Sequence, residues 1–165
     1  MGAPATPFHI RLARPGEAER VHRLMADAFE EYRAQPHPSS ALGEDVEAVR
    51  RAMEGGGAIL AFEGDEPVGS GRFIWKRRED GRLALAFERL AVPPAHRGRG
   101  IGAAMIEWLE AHARDGGADV VEVTVRSQQP DNRPYYLRRG YRITGYSARY
   151  GIPDIRTHME KDCSA

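Results

Sequence analysis

The segment Arg97-Gly98-Arg99-Gly100-Ile101-Gly102-Ala103 has three glycines at alternate positions. It lies between a strand-like run, residues 83–92, and an amphipathic helix pattern that begins near Gly100. Alternate glycines at a strand-to-helix junction let the backbone approach a ligand, because no Cβ atom intervenes. The first helical turn also has N–H groups without an intrahelical acceptor, and the helix dipole adds partial positive charge there. The segment therefore predicts a binding site for phosphate or pyrophosphate.

The spacing Gly98-x-Gly100-x-x-Ala103 also satisfies the dinucleotide-binding fingerprint of a doubly wound α/β fold. Such a fold places its glycines directly after the first strand and an acidic residue about 20 positions later, at the end of the next strand. Here residues 93–96 separate the strand from the glycines, and Glu122 falls inside the apolar run 120–125. A small dinucleotide-binding domain is therefore the weaker alternative.

Together with its surroundings, the glycine segment resembles motif A of the GNAT superfamily of N-acetyltransferases, which binds the pyrophosphate of acetyl-CoA. The wider match is Leu90-x-Val92-x-Pro94-x-x-Arg97-Gly98-x-Gly100-Ile101-Gly102. A second match, Tyr136-x-x-x-Gly140-Tyr141, resembles that family's Tyr-x-x-x-Gly-aromatic element. The resemblance implies an acetyl-CoA-dependent N-acetyltransferase that moves an acetyl group directly from acetyl-CoA to a primary amine. A non-catalytic acyl-CoA-binding or sensing module is an alternative, and Tyr136 argues against it.

Composition narrows the class of protein. The 165 residues predict a single domain over residues 1–165, with flexible tails at 1–7 and 162–165. Lys+Arg and Asp+Glu number 24 each, which gives no support for a nucleic-acid or membrane partner. The six histidines and one cysteine show no metal-ligand spacing, so no metal is predicted. Cys163 cannot form an internal disulfide, which favours a cytoplasmic location, and its position near the C-terminus makes it incidental to catalysis.

Hydrophobic periodicity predicts the element order β-α-α-β-β-β-α-β-α-β-β. This order predicts an α/β fold with a mixed, mostly antiparallel central sheet and helices on both faces. The resemblance specifies a GNAT-like acyl-CoA N-acyltransferase fold, in which two strands splay apart at the cofactor site. The splayed strands would be residues 83–92 and 119–126.

The resemblance also assigns the acetyl-CoA site residue by residue. Backbone groups of Leu90, Ala91 and Val92 would hold the pantetheine arm. Backbone N–H groups would hold the pyrophosphate, and they belong to Arg97, Gly98, Arg99, Gly100, Ile101, Gly102 and Ala103. The arginines of this segment would add charge beside the phosphates; the alternative for its glycines is a tight turn alone. Asn132 resembles the family's cofactor-contacting asparagine, with helix N-capping as the equal alternative.

Two residues are candidates for catalysis. By family position Tyr136 stabilises the leaving thiolate, and it does so as a hydrogen-bond donor, because a phenol of pKa near 10 is a weaker acid than a thiol near 8.5. The alternative is a core aromatic residue. Strand alternation predicts that Ala84, Ala86, Glu88 and Leu90 share one face, which makes Glu88 the candidate base for the amine. An ordinary ion pair of Glu88 with Arg72 or Arg126 is the equal alternative.

The acceptor is expected to be a small-molecule or peptide amine. Residues 34–43 connect the first two helices, and two prolines stiffen this connector. It is predicted to cover the acceptor, with the hydroxyls of Ser39 and Ser40 as binding groups. Dimers are common in the family, so a homodimer is also expected.

Overall fold

The structure, a computed structural model, describes residues 7–35, 38, 40–126, 131–148 and 155–164. In these residues the strands are β1 His9–Leu12, β2 Gly57–Glu63, β3 Glu66–Arg77, β4 Leu83–Ala91, β5 Val120–Arg126, β6 Arg142–Ala148 and β7 Ile155–Asp162. The α-helices are α1 Ala18–Phe29, α2 Val46–Gly55, α3 Ile101–Asp115 and α4 Arg133–Arg138. Short 3-10 helices lie at Pro15–Glu17, Glu30–Tyr32, Ser40–Gly43 and Pro94–His96. The predicted element order is confirmed.

The strands form a sheet in the order β1-β2-β3-β4-β5-β7-β6. The pairs β1–β2, β2–β3, β5–β7 and β6–β7 are antiparallel, and β4–β5 is parallel. The parallel register runs from Ala84 opposite Val120 to Phe87 opposite Val123, whereas β5 continues to Arg126 paired with β7. The mixed, mostly antiparallel sheet is therefore confirmed, and β4 parts from β5 after Phe87.

The chain divides into two compact units. The first unit comprises Met1–Ile74 and Arg89–Leu109, and the second comprises Trp75–Glu88 and Glu110–Ala165. The single domain over residues 1–165 stays a prediction. The predicted C-terminal tail differs from the structure, because Asp162 still pairs with Val120 and the Cys163 N–H donates to the Asp119 carbonyl at 3.0 Å.

In the first unit, helices pack on both faces of the sheet. On one face, alternate residues of β2, Ala58, Leu60 and Phe62, are buried against α1 and α2. On the opposite face, a Cβ added to Gly69 of β3 would lie 3.1 Å from Ile101 and 3.2 Å from Met105 of α3. This close approach leaves little room for a side chain at position 69 and confirms helices on both faces.

The second unit has an aromatic core. The ring of Phe87 lies 6.2 Å from that of Tyr136 and 6.4 Å from that of Tyr141, and the two tyrosine rings lie 5.4 Å apart. The Tyr141 hydroxyl donates to the Glu110 carboxylate at 2.8 Å. This buried hydrogen bond satisfies a carboxylate that would otherwise be costly to desolvate.

Candidate functional site

The three glycines of the segment 97–103 differ in their backbone. Gly98 and Gly100 have φ of +77° and +85°, in the left-handed region that favours glycine. Gly102 lies in the first turn of α3 and has no such φ. A Cβ added at any of the three would meet no atom within 4 Å. A tight turn therefore accounts for Gly98 and Gly100, but neither backbone conformation nor packing requires glycine at 102.

The backbone N–H groups of residues 97–103 differ in whether they have a hydrogen-bond acceptor. The first α-helical hydrogen bond of α3 joins the Ala104 N–H to the Gly100 carbonyl at 3.0 Å. In the described part of the chain, the N–H groups of residues 98–103 have no acceptor. The Arg97 N–H, in contrast, donates to the Pro94 carbonyl at 3.3 Å. The geometry thus leaves six consecutive donors for a ligand, and Arg97 is not among them.

Both arginine side chains of the segment contact carboxylates. Arg97 forms an ion pair with Glu31, and its other nitrogens donate to the carbonyls of Ala28 and Val92, each at 2.9 Å. Arg99 forms an ion pair with Glu63. The role of both as charge beside phosphates stays a prediction, and in the structure a carboxylate offsets each guanidinium. Arg97 fixes the segment to the end of α1.

The end of β4 departs from regular strand geometry. Among the residues that the structure describes, Arg89 is the non-glycine residue with positive φ, at +54°. Such a residue interrupts strand alternation. The predicted shared face is therefore valid for Ala84, Ala86 and Glu88 but does not extend to Leu90. The Val92 carbonyl accepts from the Arg97 side chain at 2.9 Å, so one of its two lone pairs is already used within the protein.

A partly buried ion cluster that the sequence did not predict lies beside Arg89. The Glu44 carboxylate accepts from Arg72 at 2.7 and 3.1 Å and from Arg89 at 3.2 Å. Burial alone would raise the pKa of Glu44, but the two guanidiniums outweigh it and lower that pKa. Arg89 also donates to the Ser40 hydroxyl at 2.8 Å, whereas Ser39 lies outside the described residues. Arg72 thus binds Glu44, and the alternative of an ion pair between Glu88 and Arg72 or Arg126 stays a prediction.

Tyr136 lies on α4 with 8% of its surface exposed. Burial raises its pKa well above the usual range, and the neighbouring Tyr135 adds to the effect. Among the described residues no partner of its hydroxyl is found, although Tyr141 in the same cluster donates to Glu110. Tyr136 is therefore part of the aromatic core and also a protonated donor.

The structure also bears on the predictions made for Asn132, Glu122 and Glu88, which all lie in the second unit. Asn132 occupies the N-cap position of α4, but its φ and ψ of −91° and 1° differ from the extended backbone usual there, and its side chain makes no capping hydrogen bond. The alternative of side-chain N-capping is therefore wrong. Glu122 forms an ion pair with Lys76 at 2.7 Å, which leaves the dinucleotide alternative without its ribose-binding carboxylate. Glu88 is exposed, as a base in contact with substrate must be.

Cys163, the helix lengths and the potential metal ligands also bear on the class of protein. Burial raises the pKa of Cys163, the opposite of what a nucleophilic thiolate needs. Within the described ranges, no helix is long and apolar enough to cross a membrane, and no group of three or more potential metal ligands is found.

Comparison with known proteins identifies the class. The family described as "Acetyltransferase (GNAT) family" matches residues 19–141. An uncharacterized N-acetyltransferase of Bacillus subtilis (strain 168) is 36% identical over 121 residues, which cover 72% of this chain and 77% of that protein. The aminoalkylphosphonate N-acetyltransferase of Salmonella typhimurium is 36% identical over 56 residues, 34% of this chain and 36% of that protein.

The fold agrees with that class. The Salmonella typhimurium protein yncA, solved with its cofactor acetyl-CoA, superposes with a TM-score of 0.72 at 19% identity, covering 95% of this chain and 94% of the other. The chain belongs to the GNAT acetyltransferase family. It is an N-acetyltransferase with acetyl-CoA as its cosubstrate, which confirms the predicted family, fold class and activity.

Proposed function

We propose that this N-acetyltransferase moves the acetyl group directly from acetyl-CoA to the primary amine of a small molecule or peptide. The observation that carries the proposal is the row of six N–H donors at residues 98–103, which have no acceptor in the described structure. Phosphate oxygens are strong acceptors, and a helix N-terminus favours their negative charge. Gly102 supports the same role, since a glycine inside a helix costs about 1 kcal/mol relative to alanine and nothing in the fold requires it.

The remaining contacts to acetyl-CoA follow the family pattern. The backbone of Leu90 and Ala91 and the N–H of Val92 are proposed to bind the pantetheine arm as an added strand would. Asn132 is retained as a cofactor contact, and its side chain, which caps no helix, is compatible with that role. Arg97 is a positioning residue for the glycine segment.

The catalytic residues are proposed as Tyr136 and Glu88. Tyr136 donates a hydrogen bond to the departing thiolate, and its raised pKa keeps the proton on the phenol oxygen. Glu88 accepts the proton of the attacking amine, directly or through water. Glu44 is a poorer base, because Arg72 and Arg89 lower its pKa and so weaken its proton affinity.

The function is tested by mixing the protein and acetyl-CoA with a panel of amines and measuring the release of free thiol. The panel should contain an aminoalkylphosphonate, the acceptor class in the name of the Salmonella relative, together with uncharged amines and peptide N-termini. We expect saturable thiol release with at least one amine. Tight acetyl-CoA binding without transfer to any amine would instead indicate the non-catalytic module.

Steady-state kinetics with the amine should distinguish the role of Glu88 from that of Ser40. Glu88→Gln is expected to lower kcat/KM for the amine about 100-fold and to flatten its rise with pH, because the base is lost. Ser40→Ala should raise only the KM of the amine, a few-fold, since its hydroxyl positions Arg89. Ser164→Ala, at an exposed site, serves as the control. Unchanged amine kinetics in both variants across the pH range would place the acceptor site elsewhere.

We also propose an oligomeric state and a cellular location. A homodimer is supported by β6, which ends the order of the described strands and exposes Ile143 and Tyr146, so that its outer edge can pair antiparallel with a second copy. Antiparallel pairing would also keep the two copies of Arg142, the charged residue of β6, at opposite ends. A cytoplasmic location is supported by the single cysteine.

A further inference from the structure

The imidazole of His158, on β7, lies between two hydroxyl groups from the neighbouring strands. Its Nδ1 lies 3.1 Å from the Thr124 hydroxyl of β5, and its Nε2 lies 2.8 Å from the Ser147 hydroxyl of β6. Thr124 is also the register partner of His158 across the two strands. The ring is half-buried, whereas Thr124 and Ser147 are exposed. Both ring nitrogens are therefore hydrogen-bonded at a place that solvent and ligands can reach.

Two hydroxyl partners suit a ring that gains and loses a proton. A hydroxyl can donate one hydrogen bond or accept others, and it rotates to do either. Beside a neutral imidazole, one hydroxyl donates to the bare ring nitrogen and the other accepts from the ring N–H. Beside an imidazolium, both hydroxyls accept. Since histidine is the side chain whose charge changes most readily near neutral pH, this arrangement is typical of a site that takes up and releases protons.

Charged residues flank His158 on the same face of the sheet. On one side are two carboxylates with the cations that bind them: Glu122, Glu160, Lys76, Arg78 and Arg142. On the other side are two register partners, Arg126 and Arg156. Among the residues that the structure describes, the ring of His158 forms hydrogen bonds with the two hydroxyls and with none of these charged groups. Its proton can therefore move only by way of a hydroxyl or solvent.

The candidate base Glu88 lies across from Thr124 where the pairing of β4 with β5 ends. Ala86 of β4 and Glu122 of β5 are register partners, and Glu88 and Thr124 follow each of them at a spacing of two. Side chains at this spacing share a face of the sheet. The parallel pairing stops one residue before Glu88. An acceptor nitrogen that enters where the strands part would thus lie between the Glu88 carboxylate and the Thr124 hydroxyl.

Amide formation requires two protons to leave the acceptor nitrogen. A primary ammonium group carries three protons and the amide product keeps one, but a single carboxylate such as Glu88 holds one proton at a time. After attack the nitrogen is positively charged, and it departs about as readily as the thiolate, because the ordinary pKa values of amines and thiols are about 10 and 8.5. Removal of the second proton prevents the return of the amine and leaves the thiolate as the leaving group.

We infer that Thr124 and His158 remove this second proton. The Thr124 hydroxyl accepts the proton of the acceptor nitrogen and passes its own proton to Nδ1 of His158, while the Ser147 hydroxyl accepts from the Nε2–H and holds the ring in place. After the product leaves, the proton returns through Thr124 to water. Thr124 is the catalytic residue of this step, and His158 is a positioning residue that holds the transferred proton. The inference rests on the proposed amine acetylation and adds residues to that site.

The first test compares two substitutions of Thr124, with propylamine and every amine of the thiol-release panel as acceptors. Thr124→Val, which keeps the shape but removes the hydroxyl, should lower kcat about 10- to 100-fold and leave the KM of acetyl-CoA within a factor of about two. Thr124→Ser should keep a rate close to that of the parent. Thr144→Val is the matched control, because the Thr144 hydroxyl donates to the backbone carbonyl of His158 at 3.2 Å and not to its ring.

The second test is chemical rescue of His158→Ala by added imidazole, with amide product as the readout. Imidazole should restore at least about 10-fold of the lost rate, since it supplies a base where the ring stood. It should change neither the parent nor Thr124→Val, which lacks the hydroxyl that delivers the proton. His9→Ala, at an exposed site of β1, is the control. Thermal unfolding measures the stability of each variant.

The outcomes separate this inference from acetyl transfer itself. If the parent acetylates no amine, the proposed function fails and the inference fails with it. If the parent acetylates an amine while Thr124→Val has the parent's kcat, or while a folded His158→Ala loses rate that imidazole does not restore, the proposed function stands and the proton path is wrong. Should His158→Ala not fold, the difference between Thr124→Val and Thr124→Ser decides.

Discussion

Gly102→Glu is expected to abolish measurable acetyl-CoA binding, with an increase in Kd of at least about 100-fold, or 2.8 kcal/mol at 1.4 kcal/mol per decade. The new carboxylate would stand beside N–H donors that are proposed to bind phosphate, where it repels the ligand and blocks its approach. Folding should survive, because a Cβ at position 102 faces open space and glutamate favours the first turn of a helix. Calorimetric titration with CoA and acetyl-CoA measures the change.

The control for this variant is Gly55→Glu. Gly55 is the last residue of α2, also lacks a positive φ, and also has no atom within 4 Å of an added Cβ. The same substitution there should leave acetyl-CoA affinity unchanged. Gly98 and Gly100 are less suitable test positions, because a side chain at their positive φ would strain the backbone. Parent-like affinity in Gly102→Glu would show that the pyrophosphate does not bind these N–H groups.

Tyr136→Phe is expected to lower kcat about 10- to 100-fold while the acetyl-CoA affinity stays close to that of the parent. The lost hydrogen bond would form mainly in the transition state, where charge develops on the departing sulfur. Stability should change little, since no hydrogen-bond partner of this hydroxyl is found among the described residues and the ring contacts are kept. Steady-state and single-turnover rates, with thermal unfolding, provide the measurements.

Tyr141→Phe is the matched control from the same aromatic cluster. Its hydroxyl donates to buried Glu110, so its removal should cost about 1–3 kcal/mol of unfolding free energy, with a smaller effect on the chemical step. We therefore expect Tyr136→Phe to lower the rate with little change in stability, and Tyr141→Phe to lower the stability with a smaller change in rate. If Tyr136→Phe reduces stability but not rate, Tyr136 is a structural residue of the core.

Much of the fold could be predicted locally. The apolar spacing from Val21 to Tyr32 predicted α1, which the structure has at Ala18–Phe29. The spacing of Val46, Val49 and Met53 predicted α2, and the glycine run 55–57 marked its end. The glycine segment predicted the strand-to-helix junction before α3. Such features depend on a residue's own conformational preference and on neighbours within one or two turns, which a sequence displays directly.

Side-chain partners were harder to predict. Arg97 was expected beside phosphate, and its contact with Glu31, which lies 66 residues away in the sequence, was not predicted. Glu44 and Arg72, separated by 28 residues, meet only in the folded chain. No periodicity encodes such a pairing, since any of 24 acidic residues could satisfy a given guanidinium.

The sequence by itself determined the element order, the GNAT resemblance and the positions of the glycine segment and Tyr136, because these follow from short-range pattern and spacing. Only the tertiary structure decided which groups are available for chemistry. It showed that the guanidiniums of Arg97 and Arg99 are offset by carboxylates, that Arg89 interrupts the alternation of β4, and that His158 lies between the hydroxyls of Thr124 and Ser147. These outcomes depend on strand register and on long-range contacts, which arise only when distant segments pack together.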